Sequence, residues 1–185
     1  TSICKIEWVS LGYFVLQNGM RNIRKIGFGG GCHWCTEAVF MALKGVAKVE
    51  QGFISSEGDI DNLSEAVIVN YIAEVIELKD LVAIHLDTHQ STQNHSLRHK
   101  YRSALYYFTK EDEEFLKLIM NEFRKELSTP IITSILPFGQ FKSSEEKFHN
   151  YYFSDIEKPF CKTHISPKIQ LLKERYRKHV STRVV

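Results

Sequence analysis

The chain has 185 residues and a formal net charge of +2, enough for one domain whose core needs no covalent staples. So small a charge argues for neither nucleic acid nor an acidic membrane surface as partner, and no apolar run approaches the ~20 residues of a membrane span. Basic residues gather near the C-terminus (Lys173, Arg175, Arg177, Lys178, Arg183) in the manner of a solvated helix face. Of four cysteines, Cys32 and Cys35 form a C-x-x-C, while Cys4 and Cys161 stand far apart, so no disulfide scaffold is expected. With no secretory signal legible, reduced thiols in the cytoplasm are the expectation.

In chain order, residues 1–19 carry scattered charges (Lys5, Glu7), and Met20 stands just before the first strongly patterned segment. They are expected to be an N-terminal extension or remnant, with 20–185 a single domain. Ile23 to Gly29 reads as a buried strand ending in the turn Gly29-Gly30-Gly31. A helix follows from near Cys32 to about Lys44, with Trp34, Ala38 and Met41 on one face, stopped by Gly45. Val46 to Ile54 is a strand, Ser55 to Leu63 a polar loop, and Glu65 to Tyr71 a β-branched strand. Leu78 to about Leu86 is a short helix. Asp87 to Lys100 is a long polar loop holding His89, His95 and His99, of the length that is usually functional or disordered. Arg102 to Phe108 is a strand; Thr109 and Asp112 cap a helix burying Phe115, Ile119 and Phe123. Ile131 to Leu136 is a strand closed by Pro137. Ser143 with Glu146 caps a helix through Phe148 and Tyr152, and Ile169 to about His179 is the last helix. The alternation predicts an α+β domain, an α/β two-layer sandwich in which helices flank a mixed β-sheet with a ferredoxin-like core.

Cys32 stands where a glycine-rich turn meets a helix start. Free backbone N–H groups and the helix dipole there favour the thiolate, the reactive form of cysteine. With Cys35 it can form a reversible disulfide, or supply half of a zinc site if two further ligands converge. His33 lies between the two cysteines, and the histidines of 85–99 show no clean ligand spacing, so no metal is expected.

Gly31-Cys32-His33-Trp34-Cys35-Thr36-Glu37 resembles the G-C-F-W-x-x-E motif of the A class of peptide methionine sulfoxide reductases. Three further blocks resemble that family in the same order. Ser64-Glu65-Ala66-Val67 is similar to its H-A-E-x-V strand, Lys100-Tyr101-Arg102-Ser103-Ala104 to its Q-Y-R-S-A, and Glu146-Lys147-Phe148-His149, with Tyr152 beyond, to its E-x-Y-H-Q. The resemblance covers about residues 24–165 and makes 20–185 a single catalytic domain. It implies reduction of methionine S-sulfoxide, free or in proteins, with no metal or organic cofactor. Cys32 would be the nucleophile, Glu65 the acid, with a pKa raised by its strand of Ala, Val and Ile, and Tyr101 a hydrogen-bond donor to the sulfoxide oxygen. Trp34, with His33 in the family's Phe position, would form the wall that takes the methyl group. Attack would release methionine and leave a sulfenic acid, which a second cysteine converts to a disulfide recycled by a thioredoxin-like donor.

The resolving cysteine is Cys35 on proximity, or Cys161 if the tail between Pro159 and Pro167 is irregular chain that can swing to the site. This sequence departs from the family in several places. His33 replaces Phe and Cys35 replaces Gly; the loop before Glu65 is short and lacks the family's second tyrosine; Ser96 stands where an Asp is usual. His95, His89 and Asp87 are candidates to rebuild the lost hydrogen bonds. A monomer is expected. Two other classes compete: a general disulfide oxidoreductase using Cys32 and Cys35, which would need neither Glu65 nor Trp34, and a sulfoxide-binding module without turnover.

Overall fold

The computed structural model describes residues 22–89, 91–94 and 96–184. The proposed extension, Met20, Cys4 and His95 lie outside them. Five strands carry the fold: β1 (Ile23–Gly29), β2 (Val46–Ser56), β3 (Asp59–Ile72), β4 (Ala104–Tyr107) and β5 (Ser134–Ser143). Five α-helices lie among and after them: α1 (His33–Met41), α2 (Leu78–Thr88), α3 (Lys110–Glu126), α4 (Tyr151–Ser154) and α5 (Ser166–Arg175).

The sheet closes on itself in the order β1-β3-β2-β5-β4. This corrects the expected open sandwich with a ferredoxin-like core. β5 pairs antiparallel with β2 and parallel with β4, and β4 pairs antiparallel with β1, so β5 occupies both edges that an open sandwich would leave bare. Closure removes the unpaired edges at which sheets aggregate.

The two faces of the barrel follow the strand period of two. Ile54, Ala66, Ile68, Ala104 and Tyr106 fill the interior. Ile26, Phe28, Val67, Val69, Tyr71 and Leu105 point outward into the larger core beneath the helices. Glycine makes the narrow interior possible. A Cβ on Gly27 would stand 2.8 Å from Tyr106 Cβ, and one on Gly52 only 2.2 Å from the Lys142 carbonyl oxygen.

Several elements differ from the sequence expectation. Ser55 to Leu63 is not a loop: β2 runs to Ser56, turns at Glu57 and Gly58 (φ +84), and returns as β3 from Asp59. Both strands of this arm are polar, so hydrophobic patterning could not reveal them. Pro137 does not close its strand. It lies inside β5 at a register shift, the kind of place where a strand tolerates proline, pairs with Tyr107, and its carbonyl accepts from Glu57 N–H. The expected helix from Ser143 to Tyr152 is broken into a 3₁₀ turn (Glu146–Phe148) and α4 by Asn150 in the left-handed conformation. α1 ends at Met41, because Leu43 bridges to Val180 before the chain turns at Gly45. Thr109 does cap α3, accepting from Asp112 N–H, but Phe115 is 47 % exposed, and Leu116, Ile119 and Met120 form the buried face. The last helix begins earlier, at Ser166, and ends at Arg175 before a separate turn at Arg177–His179.

Candidate active site

The site forms where β1 ends. Gly29, the last residue of β1, leads through Gly30 and Gly31 to Cys32, the N-cap of α1. Gly30 has φ +148, and a Cβ there would meet the His89 ring at 2.4 Å, so the turn needs glycine for space and for conformation. Arg98 Nη1 donates to the carbonyls of both Gly30 (2.9 Å) and Tyr101 (3.0 Å), tying the turn to the segment that carries Tyr101.

Cys32 is half-buried and Cys35 buried, one helical turn on. The Cys35 thiol donates to Cys32, and this bond, helped by the backbone N–H groups of Trp34 and Cys35, lowers the Cys32 pKa against the opposing effects of burial and of the Glu65 charge. The same bond and burial push the Cys35 thiol far up. Cys32 is thus the more acidic thiol of the pair and Cys35 the one that holds its proton more tightly.

Glu65 is on the outward face of β3, opposite Phe53 of β2, and is 8 % exposed. Its Oε2 accepts from His33 N–H (3.1 Å), and Lys100 Nζ stands 3.4 Å from Oε1. The His33 ring is buried; its Nδ1–H donates to the Gly52 carbonyl (2.8 Å), which leaves Nε2 facing Glu65 Oε2 at 3.9 Å. β3 also grips the Tyr101 segment. Ser64 Oγ donates to the Lys100 carbonyl (2.8 Å) and accepts from Arg102 N–H (2.8 Å), and Glu65 N–H donates to the Lys100 carbonyl (3.0 Å). Lys100 spans from Glu65 to the face of the Tyr101 ring (5.0 Å).

Trp34 stacks on Tyr151 (4.3 Å, 15°) and packs against Phe148 (5.3 Å) and Phe160 (5.4 Å). This wall is fixed by Glu37, which sequence reasoning noticed only as a motif letter. Buried Glu37 accepts from Gln51 Nε2 (2.7 Å) and Asn150 N–H (2.9 Å), while Gln51 also donates to the Phe148 carbonyl (3.0 Å).

Cys161 is 0 % exposed and opens a π-helical turn (Cys161–Ile165) that runs directly into α5. The expectation of an irregular, swinging tail is therefore corrected: the helix buries Cys161, Ile165, Ile169 and Leu172 in the main core, which holds the segment down. Of the residues considered as replacements for the missing Asp, Asp87 is engaged elsewhere, with Arg175 (2.9 Å) and the Tyr176 hydroxyl (2.7 Å). Ser96 lies in an exposed 3₁₀ turn (Ser96–His99). His89 reaches the Gly30 turn, with Nε2 2.9 Å from Ser103 Oγ.

Sequence reasoning missed Arg98, Lys100, Tyr151 and Lys168. Only Lys100, next to Tyr101, had a sequence signal. A cavity of about 50 Å³ is lined by Cys32, Cys35, His85, His89 and Lys168 among others, and His33, Trp34, Glu65 and Tyr101 are not part of its lining. No cluster of three metal-ligating side chains exists among the described residues.

A lowered-pKa thiol at a helix start, a second thiol bonded to it and a buried carboxyl beside them define a thiol-based redox enzyme on a closed mixed barrel with helices outside. The family model described as peptide methionine sulfoxide reductase matches residues 24–180, and the chain belongs to that family. The chain is 34 % identical over 165 residues to the peptide methionine sulfoxide reductase of Deinococcus radiodurans, covering 80 % of each protein. It is 28 % identical over 172 residues to that of Sulfolobus acidocaldarius, covering 84 % of this chain and 97 % of the relative. Among solved structures, reduced Mxr1 from Saccharomyces cerevisiae shares the fold (TM-score 0.68, 24 % identity, 79 % of this chain and 93 % of that one). So does Mxr1 in complex with Trx2 (TM-score 0.57, 22 % identity, 71 % and 87 %).

Proposed function

We propose that the protein reduces methionine S-sulfoxide, free or in proteins, with Cys32 as nucleophile and without metal or organic cofactor. The observation that carries this reading is Cys32, a thiol made more acidic by its bond from Cys35 and held at the start of α1 one residue from a peptide N–H bonded to the Glu65 carboxyl. The thiolate attacks the sulfoxide sulfur while Glu65 protonates the departing oxygen. In the adduct the hydroxyl passes from the substrate sulfur to the Cys32 sulfur as the bond between the two sulfurs and the substrate sulfur–oxygen bond break, so methionine leaves and Cys32 becomes a sulfenic acid. Trp34 and its aromatic neighbours take the methyl group, with His33 beside them, and the Tyr101 hydroxyl steadies the oxygen.

Cys35 then attacks the Cys32 sulfur, forming a disulfide and releasing water. Its contact with Cys32 supports this role, and the burial of Cys161 within a helical turn argues against the alternative. A thioredoxin-like dithiol returns the pair to its reduced state, as fits a family in which Mxr1 has been seen with Trx2. Reduced thiols suit a compartment such as the cytoplasm, with the chain acting as a monomer. Residues 20–185 act as one catalytic domain.

Single turnover with the two sulfoxide epimers, assayed separately, tests the reading. Cys32→Ser is expected to form no methionine from either epimer. Cys35→Ser is expected to give one rapid turnover of the S epimer and then stop in the presence of thioredoxin, while Cys161→Ser keeps cycling. Comparable methionine formation by Cys32→Ser would overturn the nucleophile, and disulfide exchange that survives loss of Glu65 and Trp34 would point to a general oxidoreductase.

A further inference from the structure

Sulfoxide attack and disulfide formation leave the cavity of about 50 Å³ that both thiols line without a role. Three elements meet there: α1 contributes Cys35 beside its cap Cys32, the end of α2 contributes His85 and Thr88, followed by His89, and α5 contributes Lys168. The imidazoles are held in place by hydrogen bonds, and burial favours their neutral form. His85 Nε2–H donates to the Gly29 carbonyl (2.9 Å), and burial and the neighbouring His89 push its pKa well down. His89 Nδ1–H donates to the His85 carbonyl, its Nε2 faces Ser103 Oγ, and burial pushes its pKa down to about 4.

Among the residues lining the cavity, Lys168 is therefore the candidate cation; burial lowers its pKa, and the facing Cys35 and Cys32 sulfurs oppose that by raising it. Its Nζ donates to the carbonyl of Thr88, the last residue of α2, where the negative end of the helix dipole steadies an ammonium. That anchor fixes the cation in a wall shared with both thiols.

We infer that Lys168 is a positioning residue for the resolving step: its ammonium, anchored on the end of α2, faces Cys35 across the cavity and stabilises that sulfur as an anion when it attacks Cys32. The inference rests on the reading of Cys35 as the resolving thiol. In the resting pair the Cys35 proton is shared with the Cys32 thiolate. Once Cys32 has become a sulfenic acid that acceptor is gone, and the full burden of making a buried Cys35 anion appears. Cys35 gives up its proton to solvent; as the Cys35–Cys32 bond forms, the sulfur–oxygen bond of the sulfenic acid breaks, and the leaving hydroxide takes a proton from solvent to depart as water.

The charges that bear on this step are few. Cys32 and Cys161 oppose a Cys35 anion and Lys168 favours it. Arg98 acts on the two imidazoles and Glu65 on Cys32. A cation within about 4–6 Å lowers a neighbouring acid by about one unit or more.

Rapid-quench measurements separate the two steps: methionine release reports the first, and loss of a dimedone-trappable sulfenic acid reports the second. Lys168→Gln keeps a hydrogen-bond donor for Thr88 but removes the charge, and Lys168→Arg keeps both. The expected result for Lys168→Gln is a persisting burst of methionine, roughly tenfold slower disulfide formation, and a pH profile for that step displaced upward by about one unit. Lys168→Arg should restore rate and profile. The inference is overturned if Lys168→Gln forms the disulfide at the wild-type rate with an unmoved profile, or if Lys168→Arg fails as fully as Lys168→Gln. A wild-type disulfide that maps to Cys161 would also overturn it. Hydrogen peroxide can generate the sulfenic acid in place of sulfoxide, so the comparison stands even where absence of methionine from the wild type would refute the reductase reading.

Discussion

Glu65 is held on both oxygens, by the His33 peptide N–H on one and by the Lys100 ammonium on the other. An amide in its place keeps the size of the group but cannot serve as an acid. Glu65→Gln is therefore expected to slow single-turnover methionine formation by roughly 10²–10⁴-fold, the usual worth of a positioned acid, with substrate binding changed less. An unaltered single-turnover rate would remove Glu65 from the chemistry. Gly30 is sensitive for a different reason. A methyl group there collides with the His89 ring at a backbone angle that L side chains rarely adopt. Gly30→Ala should cost about 1–3 kcal/mol in urea unfolding and lower activity through the displaced Cys32 turn.

Among elements, the wall around Trp34 depends on a short segment that could not hold itself in place. Between β5 and α4 the chain makes one 3₁₀ turn and passes through a left-handed Asn150, and buried Glu37 and Gln51 supply the bonds that fix it. Glu37→Ala leaves the Gln51 amide and the Asn150 N–H without this acceptor, at about 1–3 kcal/mol per buried group. The same change should raise KM more than it lowers the single-turnover rate, because the aromatic wall loosens while Cys32 and Glu65 stay. Equal effects on both would show that Glu37 supports the reacting atoms instead. At α3 the cap was legible in the sequence, and Thr109→Ala should cost about 1 kcal/mol in thermal or chemical unfolding with no effect on activity.

At the scale of the whole molecule, burying two neutral imidazoles behind the site makes stability depend on pH. The folded pKa of His89 is about 4, below the roughly 6.5 of an unfolded histidine, and His85 is displaced in the same direction. Between these values the unfolded chain binds protons that the folded chain refuses, so stability falls as pH drops from about 6.5 toward 4. The His89 contribution is on the order of 3 kcal/mol. Urea unfolding at a series of pH values should show this decline and a shallower slope in His89→Asn. A stability that stays level through that window would mean that the imidazoles are charged in the folded protein.

The sequence by itself determined what depends on local order. The buried strand before the three glycines, the helix start at Cys32, the cap at Thr109 and the four blocks that identify the family are all patterns within a few consecutive residues, and the core strand at Glu65 announces itself by its β-branched run. Only the tertiary structure decided what depends on distant parts of the chain meeting. Closure of the barrel rests on β5 finding both β2 and β4, and neither hydropathy nor turn chemistry encodes which edges will pair. The hairpin arm at 56–59 is polar on both strands and so carries no periodic signal. Cys161 reads as tail between two prolines, yet a helix buries it, because the apolar residues of α5 find their partners on α1 and α2 rather than in their own neighbourhood. Lys100 beside Glu65, and Lys168 beside Cys35, are separated from those partners by 35 and 133 positions in the numbering, so the charges around the reacting groups are set by the fold and not by the motifs that contain them.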